Sequence, residues 1–182
     1  MEKLIIFGLL SIPLIFLSRK SLENFRNHGF YRFFSWECIL WLLVSNIPFW
    51  FEYPFGPRQL ISWILLIASI YYVVAGINLI KKIGKPKRSS EREELYGFEK
   101  TTELIDNGIF RYIRHPLYGS LILLTWGVYL KNVSLPLLFV ALASTVFLYI
   151  TALYDEKECI RFFGGQYKDY MKRTKMFVPF LF

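Results

Sequence analysis

Residues 60–80 read LISWILLIASIYYVVAGINLI, and residues 135–154 read LPLLFVALASTVFLYITALY. Neither run contains a charged side chain, and each is as long as the roughly 20 apolar residues that a helix needs to cross a bilayer. Hydrophobic residues make up 54% of the 182-residue chain, above the about 45–50% that is typical of soluble domains. The two runs therefore predict transmembrane helices.

Three shorter apolar runs, at residues 4–17, 36–51 and 117–130, extend this pattern. The first two contain residues that are unusual inside a span, namely Pro13, Glu37, Asn46 and Pro48. Each of the three runs could instead be a re-entrant or interfacial segment. We predict that all of them cross, which gives an all-α, polytopic membrane helical bundle of about five transmembrane helices.

The basic residues are distributed as this topology requires. Of the 22 Lys and Arg residues, 19 lie in residues 18–35, 81–114 and 155–182, and the alternate segments hold three. With five spans the basic segments share one side, which the positive-inside rule identifies as cytoplasmic. We therefore expect the N-terminus outside and the C-terminus in the cytoplasm. The formal net charge of +8 then reflects topology and contact with anionic membrane lipids, so it does not require nucleic acid as a partner.

A polar motif lies where the connector at residues 81–107 meets the fourth apolar run. Residues 108–118 read GIFRYIRHPLY. Within eight positions they hold two cations, an imidazole and a phenol, from Arg111, Arg114, His115 and Tyr118. This indicates a polar site at the membrane edge. Taken alone, the motif could also be a simple helix entry, with Pro116 in the first turn and Arg114 reaching lipid headgroups.

A second polar motif follows the last apolar run. Residues 155–173 read DEKECIRFFGGQYKDYMKR. We expect the helix to continue to residue 163, to break at Gly164, and to restart as a short basic amphipathic piece over residues 166–175. Its Tyr167 and Tyr170 are interpreted as interfacial belt residues. Asp155 and Glu156, taken alone, are typical of a solvated helix end. Within the connector, Ser89 or Ser90 predicts the N-cap of a short acidic helix.

Several site classes are disfavoured by residue counts. The chain has only His28 and His115, which is too few for a histidine-rich di-metal site, and we expect no metal. Cys38 and Cys159 form no CxxC pair and suggest no disulfide. Phosphate-binding glycine motifs do not occur in the sequence.

Together the two polar motifs resemble the C-terminal half of the isoprenylcysteine carboxyl methyltransferases and their phospholipid methyltransferase relatives. The resemblance rests on an Arg-His-Pro-x-Tyr loop, a pair of spans, an acidic pair and then Phe-Gly-x-x-Tyr-x-x-Tyr, in that order. It covers roughly the last 80 residues. In this sequence the pattern falls on the following residues: Arg114, His115, Pro116 and Tyr118; Asp155 and Glu156; Phe163, Gly164, Tyr167 and Tyr170.

The resemblance implies an integral membrane enzyme that transfers a methyl group from S-adenosylmethionine to a lipophilic small molecule or lipid. The cofactor pocket would face the cytoplasm and would be formed by the loop at residues 104–118 and the C-terminal helix. The single domain would then comprise three N-terminal spans (1–80), a cytoplasmic connector (81–107) and a cofactor-binding half (108–182). The short chain favours a prokaryotic inner membrane, although an endoplasmic reticulum location is also compatible.

The same resemblance assigns residues to the pocket. The implied cofactor-binding residues are Thr102, Glu103, Leu104, Ile105, Phe110, His115, Pro116, Leu117, Tyr118 and Asp155. We expect catalytic contacts from Arg114, Glu156 and Arg173. Many family members carry an arginine one helical turn before the acidic pair, where this chain has Thr151, so the acceptor here need not carry a carboxylate.

Two other classes of function remain open at this stage. Sterol reductases resemble the same C-terminal architecture while binding a nicotinamide cofactor. A non-catalytic membrane protein or a transporter would require the motif to be coincidental, and the sequence shows no internal repeat of the kind that transporters carry. Among methyltransferases, phospholipid N-methylation and methylation of a lipophilic thiol are alternatives to carboxyl O-methylation.

Overall fold

The computed structural model describes residues 1–83 and 103–179, and within these ranges the chain forms α-helices and no strand. The prediction of an all-α fold is therefore confirmed. The helices are α1 (Glu2–Leu22), α2 (His28–Asn46), α3 (Pro57–Ile83), α4 (Pro116–Tyr129), α5 (Leu135–Phe163) and α6 (Gly165–Arg173). Short 3-10 turns occupy Ile47–Phe49 and Gly108–Arg111.

The predicted apolar runs at residues 4–17, 60–80 and 135–154 lie within α1, α3 and α5. The run at residues 36–51 extends from α2 through the turn Ile47–Phe49, and the run at residues 117–130 extends one residue beyond α4. The helix after the fifth run continues to Phe163 and breaks at Gly164, as predicted, and α6 restarts there at Gly165. The acidic helix expected after Ser89 or Ser90 lies outside the described residues, as does Thr102.

Helix α3 has the inside-out pattern of a helix in lipid. Its buried residues are mostly small or polar, and among them are Gln59, Ser62 and Ser69. Its exposed residues are large and apolar, and Ile64 and Ile67 are each 65% exposed. A helix with an apolar outer face and polar inner contacts is stable when lipid, and not water, surrounds the bundle.

Three of the described helices, α1, α3 and α5, are long and apolar enough to cross a membrane. The chain is therefore a membrane protein. Helices α2 and α4 lie between these spans in the bundle: α3 packs against α4, α2 against α5, and α1 against α2. The count of five spans and the orientation of the termini remain predictions.

Small residues and hydroxyl groups hold the helices close together. The Ser62 hydroxyl donates to the Gly127 carbonyl at 2.6 Å, and a Cβ atom on Gly127 would lie 2.9 Å from a methyl of Leu66. The hydroxyl of Ser144 on α5 contacts those of Ser35 and Thr125 at 2.9 and 3.1 Å. In lipid the hydrophobic effect does not drive helices together, so close packing and hydrogen bonds of this kind hold the bundle instead. They fix the positions of α4 and α5, which carry the site described next.

Candidate functional site

The chain after α6 folds back onto the loop that precedes α4. Ile113 and Lys175 form a parallel β-bridge, and the Lys175 amide donates to the Tyr112 carbonyl at 3.0 Å. In return the amides of Arg114 and His115 donate to the carbonyls of Lys175 and Met176 at 2.8 and 3.1 Å. This backbone pairing holds the two polar motifs of the sequence side by side.

Arg114 is the ionic link between the motifs. Its Nε donates to Glu156 Oε1 at 2.7 Å, and both side chains are at most 10% exposed. Its Nη1 donates to the Thr174 carbonyl at 2.5 Å. A buried arginine with these partners is a structural clamp for the end of α5 and for the tail after α6.

His115 lies at the N-cap position of α4, where Pro116 begins the helix. Its Nδ1 lies 3.4 Å from Asp155 Oδ2, and its Nε2 lies 3.4 Å from Glu156 Oε1. Burial alone would lower the pKa of His115, but the two carboxylates outweigh burial and raise this pKa above its usual range. The imidazole ring stacks on Tyr118 with ring centres 5.4 Å apart. The two carboxylates therefore favour the protonated, positively charged form of His115.

These elements surround a cavity with about 990 Å³ of free space, its open mouth included. All the described residues that the sequence assigned to cofactor binding line this cavity: Glu103, Leu104, Ile105, Phe110, His115, Pro116, Leu117, Tyr118 and Asp155. Arg114 lines it too. Their roles in binding remain predictions.

Three other residues that the sequence analysis singled out lie away from the cavity lining. Glu156 faces Arg114 and His115 from behind the wall. Arg173 is exposed and pairs with Asp106 at 2.7 Å. Thr151 is fully buried, and its hydroxyl donates to the Phe147 carbonyl within α5 at 2.7 Å.

The interpretation of Tyr167 and Tyr170 as interfacial residues is wrong. They are 4% and 2% exposed, and both line the cavity. Burial raises the pKa of the Tyr170 hydroxyl, which therefore stays protonated and donates to the Phe110 carbonyl at 2.6 Å. The amphipathic face of α6 is turned toward protein, and this contact secures the 3-10 turn Gly108–Arg111.

Two polar residues outside the predicted set, His28 and Glu158, also line the cavity. His28 is the first residue of α2 and is 1% exposed. Its Nδ1 lies 3.0 Å from Glu158 Oε2, and its backbone amide donates to Glu158 Oε1 at 3.3 Å. The two residues are 130 positions apart, and no local motif surrounds His28, so the sequence offered no signal for this pair.

Residues 58–166 match the family model described as phospholipid methyltransferase. The chain belongs to the phospholipid methyltransferase family. The match extends from the start of α3 across the Arg-His-Pro loop to the beginning of α6, so it includes the first motif and the part of the second motif up to residue 166. The expected family is therefore confirmed.

Curated relatives of the chain share between 27% and 35% identity with it over the matched residues. The chain is 27% identical over 143 residues to a protein-S-isoprenylcysteine O-methyltransferase of Dictyostelium discoideum, covering 76% of this chain and 59% of that one. It is 30% identical over 152 residues to the rat enzyme of the same name, covering 81% and 52%. It is 35% identical over 74 residues to methanethiol S-methyltransferase 2 of Bradyrhizobium diazoefficiens, covering 41% and 28%.

The chain thus spans between about a quarter and three fifths of the length of these curated relatives. No solved structure matches it. The relatives differ in the atom that their names say is methylated, oxygen in two and sulfur in the third. Membership in the family therefore leaves the acceptor of this chain open.

Proposed function

We propose that this protein transfers a methyl group from S-adenosylmethionine to a lipophilic acceptor at the membrane–cytosol interface. The observation that carries the proposal is the single cavity built from both sequence motifs in a chain of the phospholipid methyltransferase family. Bound S-adenosylmethionine supplies an electrophilic methyl group on a sulfonium sulfur. The chain itself then has to bind a cationic donor, align an acceptor and exclude water.

The charges of the cavity suit a cationic ligand. Glu103, Asp155 and Glu158 are carboxylates in its lining, whereas the charge of Arg114 is balanced by Glu156. A sulfonium and an ammonium group are both stabilised by nearby carboxylates. The residues present therefore fit S-adenosylmethionine, and Asp155, held against His115, is the carboxylate we assign to its cationic groups.

Aromatic rings provide the second requirement. Phe110, Tyr118 and Phe163 line the same space, and such rings attract cations over their faces and exclude water. The ring of Tyr118 is fixed because it stacks on His115. Methyl transfer from a sulfonium requires no covalent intermediate, so binding and alignment by these groups can provide much of the acceleration.

The lipophilic acceptor follows from the position of the cavity. The rings of Phe162 and Phe163 lie at its edge on α5, one of the three helices apolar enough to span the bilayer. Phe162 is 50% exposed. An exposed aromatic ring in the lining of the cavity offers an apolar surface on which a lipophilic acceptor can lie.

The test is a titration of the detergent-solubilised protein with S-adenosylmethionine, S-adenosylhomocysteine and NADPH. We expect both sulfur ligands to bind. Asp155→Asn and Tyr118→Ala should each weaken binding about tenfold or more, the equivalent of roughly 1.5–3 kcal/mol for a lost contact to a charged group. Arg161→Gln, an exposed position on the same helix, is the matched control and should bind normally. Binding of NADPH alone would instead favour the reductase alternative.

A further inference from the structure

We infer that His28, oriented by Glu158, accepts the proton of a thiol acceptor during methyl transfer. The inference rests on the proposed function and specifies its acceptor class. Both residues line the same cavity as the candidate cofactor-binding residues, although His28 comes from a different part of the chain. The pair therefore faces the space in which the methyl group would be transferred.

Glu158 holds His28 in one orientation through both carboxylate oxygens. One oxygen accepts from the backbone amide of His28 at 3.3 Å, and the other lies 3.0 Å from the ring Nδ1. The start of α2 is fixed as well, because the Asn27 side chain caps it by accepting from the Gly29 amide at 2.6 Å. A carboxylate on Nδ1 keeps the proton of the neutral ring there, which leaves the lone pair on Nε2 and makes that atom more basic.

The other histidine is not suited to this role. Both ring nitrogens of His115 face carboxylates, those of Asp155 and Glu156, and this arrangement favours its charged form. The pKa of His28 is raised as well: burial lowers it, but Glu158 and the nearby Asp155 outweigh both burial and the positive charge of Arg32. The carboxylate contact of its ring is at Nδ1, to Glu158. Among the described residues of the cavity wall, His28 is therefore the histidine whose Nε2 has no carboxylate contact and can accept a proton.

The acceptor class follows from the same charges. A carboxylate acceptor has no proton to lose and would meet three lining carboxylates, Glu103, Asp155 and Glu158. The lining cations Arg114 and His115 are already paired with Glu156 and Asp155. A protic, uncharged acceptor avoids this repulsion. A cysteine-like thiol has a pKa of about 8.5 and an alkylammonium one of about 10.4, against about 6.5 for imidazole. The transfer to His28 is therefore about a hundredfold less unfavourable from a thiol than from an amine.

The reaction balances without a further reagent. The thiol gives its proton to Nε2 of His28, and an electron pair on its sulfur forms the new bond to the methyl carbon. The bond between that carbon and the donor's sulfonium sulfur breaks, and its electron pair stays on the donor, which leaves as a neutral thioether. Imidazolium His28 then returns its proton to water, with Glu158 stabilising the positive charge until it does so.

The first experiment measures proton transfer without catalysis. Protein loaded with S-adenosylhomocysteine is titrated with N-decanoylcysteine methyl ester, a lipophilic thiol without a free carboxylate, and thiolate is followed by its ultraviolet absorbance against pH. In the wild type we expect the thiolate to form at a pH below the pKa of the free thiol. His28→Gln should lose this shift while it still binds S-adenosylhomocysteine. Arg161→Gln should behave as the wild type does.

The second experiment adds S-adenosylmethionine and measures methyl transfer against pH. General base catalysis contributes roughly a 10²–10⁴-fold acceleration, so His28→Gln should slow methyl transfer by that factor near neutral pH. The rate of this variant should recover as the pH approaches the pKa of the free thiol. Glu158→Gln, a positioning variant, should show an intermediate loss and a shifted pH profile. N-decanoyl-S-methylcysteine, with a carboxylate and no thiol, should be a poor acceptor.

The outcomes separate the two proposals. Failure of the wild type to bind S-adenosylhomocysteine removes the proposed function itself. If S-adenosylhomocysteine binds normally but thiolate forms equally in the wild type, in His28→Gln and in Glu158→Gln, only the role of His28 is overturned.

His28, Asp155 and Glu158 also place potential metal ligands within 4.8 Å of one another. Activity that is lost on chelation and restored by a divalent cation would overturn proton transfer to His28 in favour of a metal site.

Discussion

At the scale of single residues, Arg114 is the side chain whose observed partners differ most from its expected role. The sequence suggested that it contacts the acceptor, whereas its guanidinium is bound to Glu156 and to the Thr174 carbonyl. Removing one partner of a buried ion pair costs about 3–5 kcal/mol. We therefore expect Arg114→Gln to lower the thermal unfolding temperature strongly. The double variant Arg114→Gln/Glu156→Gln should regain part of the lost stability. An Arg114→Gln variant that is as stable as the wild type but has a raised KM for the acceptor would instead support a contact between Arg114 and the acceptor.

His115 predicts a pH dependence of stability. Its pKa is raised in the folded protein, so the folded state binds this proton more tightly than the unfolded state does. The resulting stabilisation is complete below the ordinary imidazole pKa of about 6.5 and is lost as the pH rises through the folded-state pKa. The difference in unfolding temperature between wild type and His115→Gln should therefore shrink as the pH rises across that window. A difference that does not vary with pH would show that folding leaves the pKa of His115 unchanged.

Single residues also show what the sequence can and cannot predict about the site. Asp155 and His115 could be assigned because each lies in a recognisable motif. Tyr167 could not be placed correctly, since an aromatic ring with a hydroxyl suits a membrane interface and a protein interior equally well, and only the docking of α6 decides between them. His28 depends on a contact between residues 130 positions apart, which no periodicity encodes.

At the scale of helices, the junction between α5 and α6 depends on one backbone conformation. Gly164 has φ of 60° and ψ of −129°, a region that residues with a side chain rarely adopt, although no atom would obstruct a Cβ there. Gly164→Ala should therefore cost about 1–3 kcal/mol of backbone strain alone. It should also disturb the contact between Tyr170 and Phe110.

Gly165 provides the control for that experiment. It is equally open to a Cβ atom and its φ is not positive, because it already belongs to α6. Gly165→Ala should leave the unfolding temperature unchanged or raise it slightly, since alanine favours helix by about 0.5–1 kcal/mol over glycine. Equal destabilisation by both substitutions would mean that crowding, and not backbone conformation, limits the junction.

The helix boundaries were predictable where a chemical signal marks them. The apolar run that predicted the fifth span ends at residue 154, yet α5 continues to Phe163 because no helix breaker occurs before Gly164. Helix α2 begins at His28, well before the apolar run at residues 36–51, because Asn27 caps it. Hydropathy reports the part of a helix that lies in lipid, whereas caps and glycines report the helix itself.

At the scale of the whole molecule, the distribution of basic residues predicts which side of the membrane each connection occupies. Val133 lies exposed between α4 and α5, and Lys168 lies exposed on α6. In a variant lacking Cys38 and Cys159, we expect Val133→Cys to react with an impermeant thiol reagent from outside and Lys168→Cys only after permeabilisation. Labelling of both from the same side would contradict the five-span arrangement.

The pairing of the tail with the loop before α4 also has a consequence for biosynthesis. Spanning helices enter the bilayer as they are synthesised, but the bridge between Ile113 and Lys175 cannot form until Lys175 has emerged from the ribosome. A nascent chain that stops short of this point has its spans in the membrane and Arg114 without its partner at Thr174. The wall of the cavity that contains Arg114 and His115 is therefore held in place only after residues 174–176 have been translated.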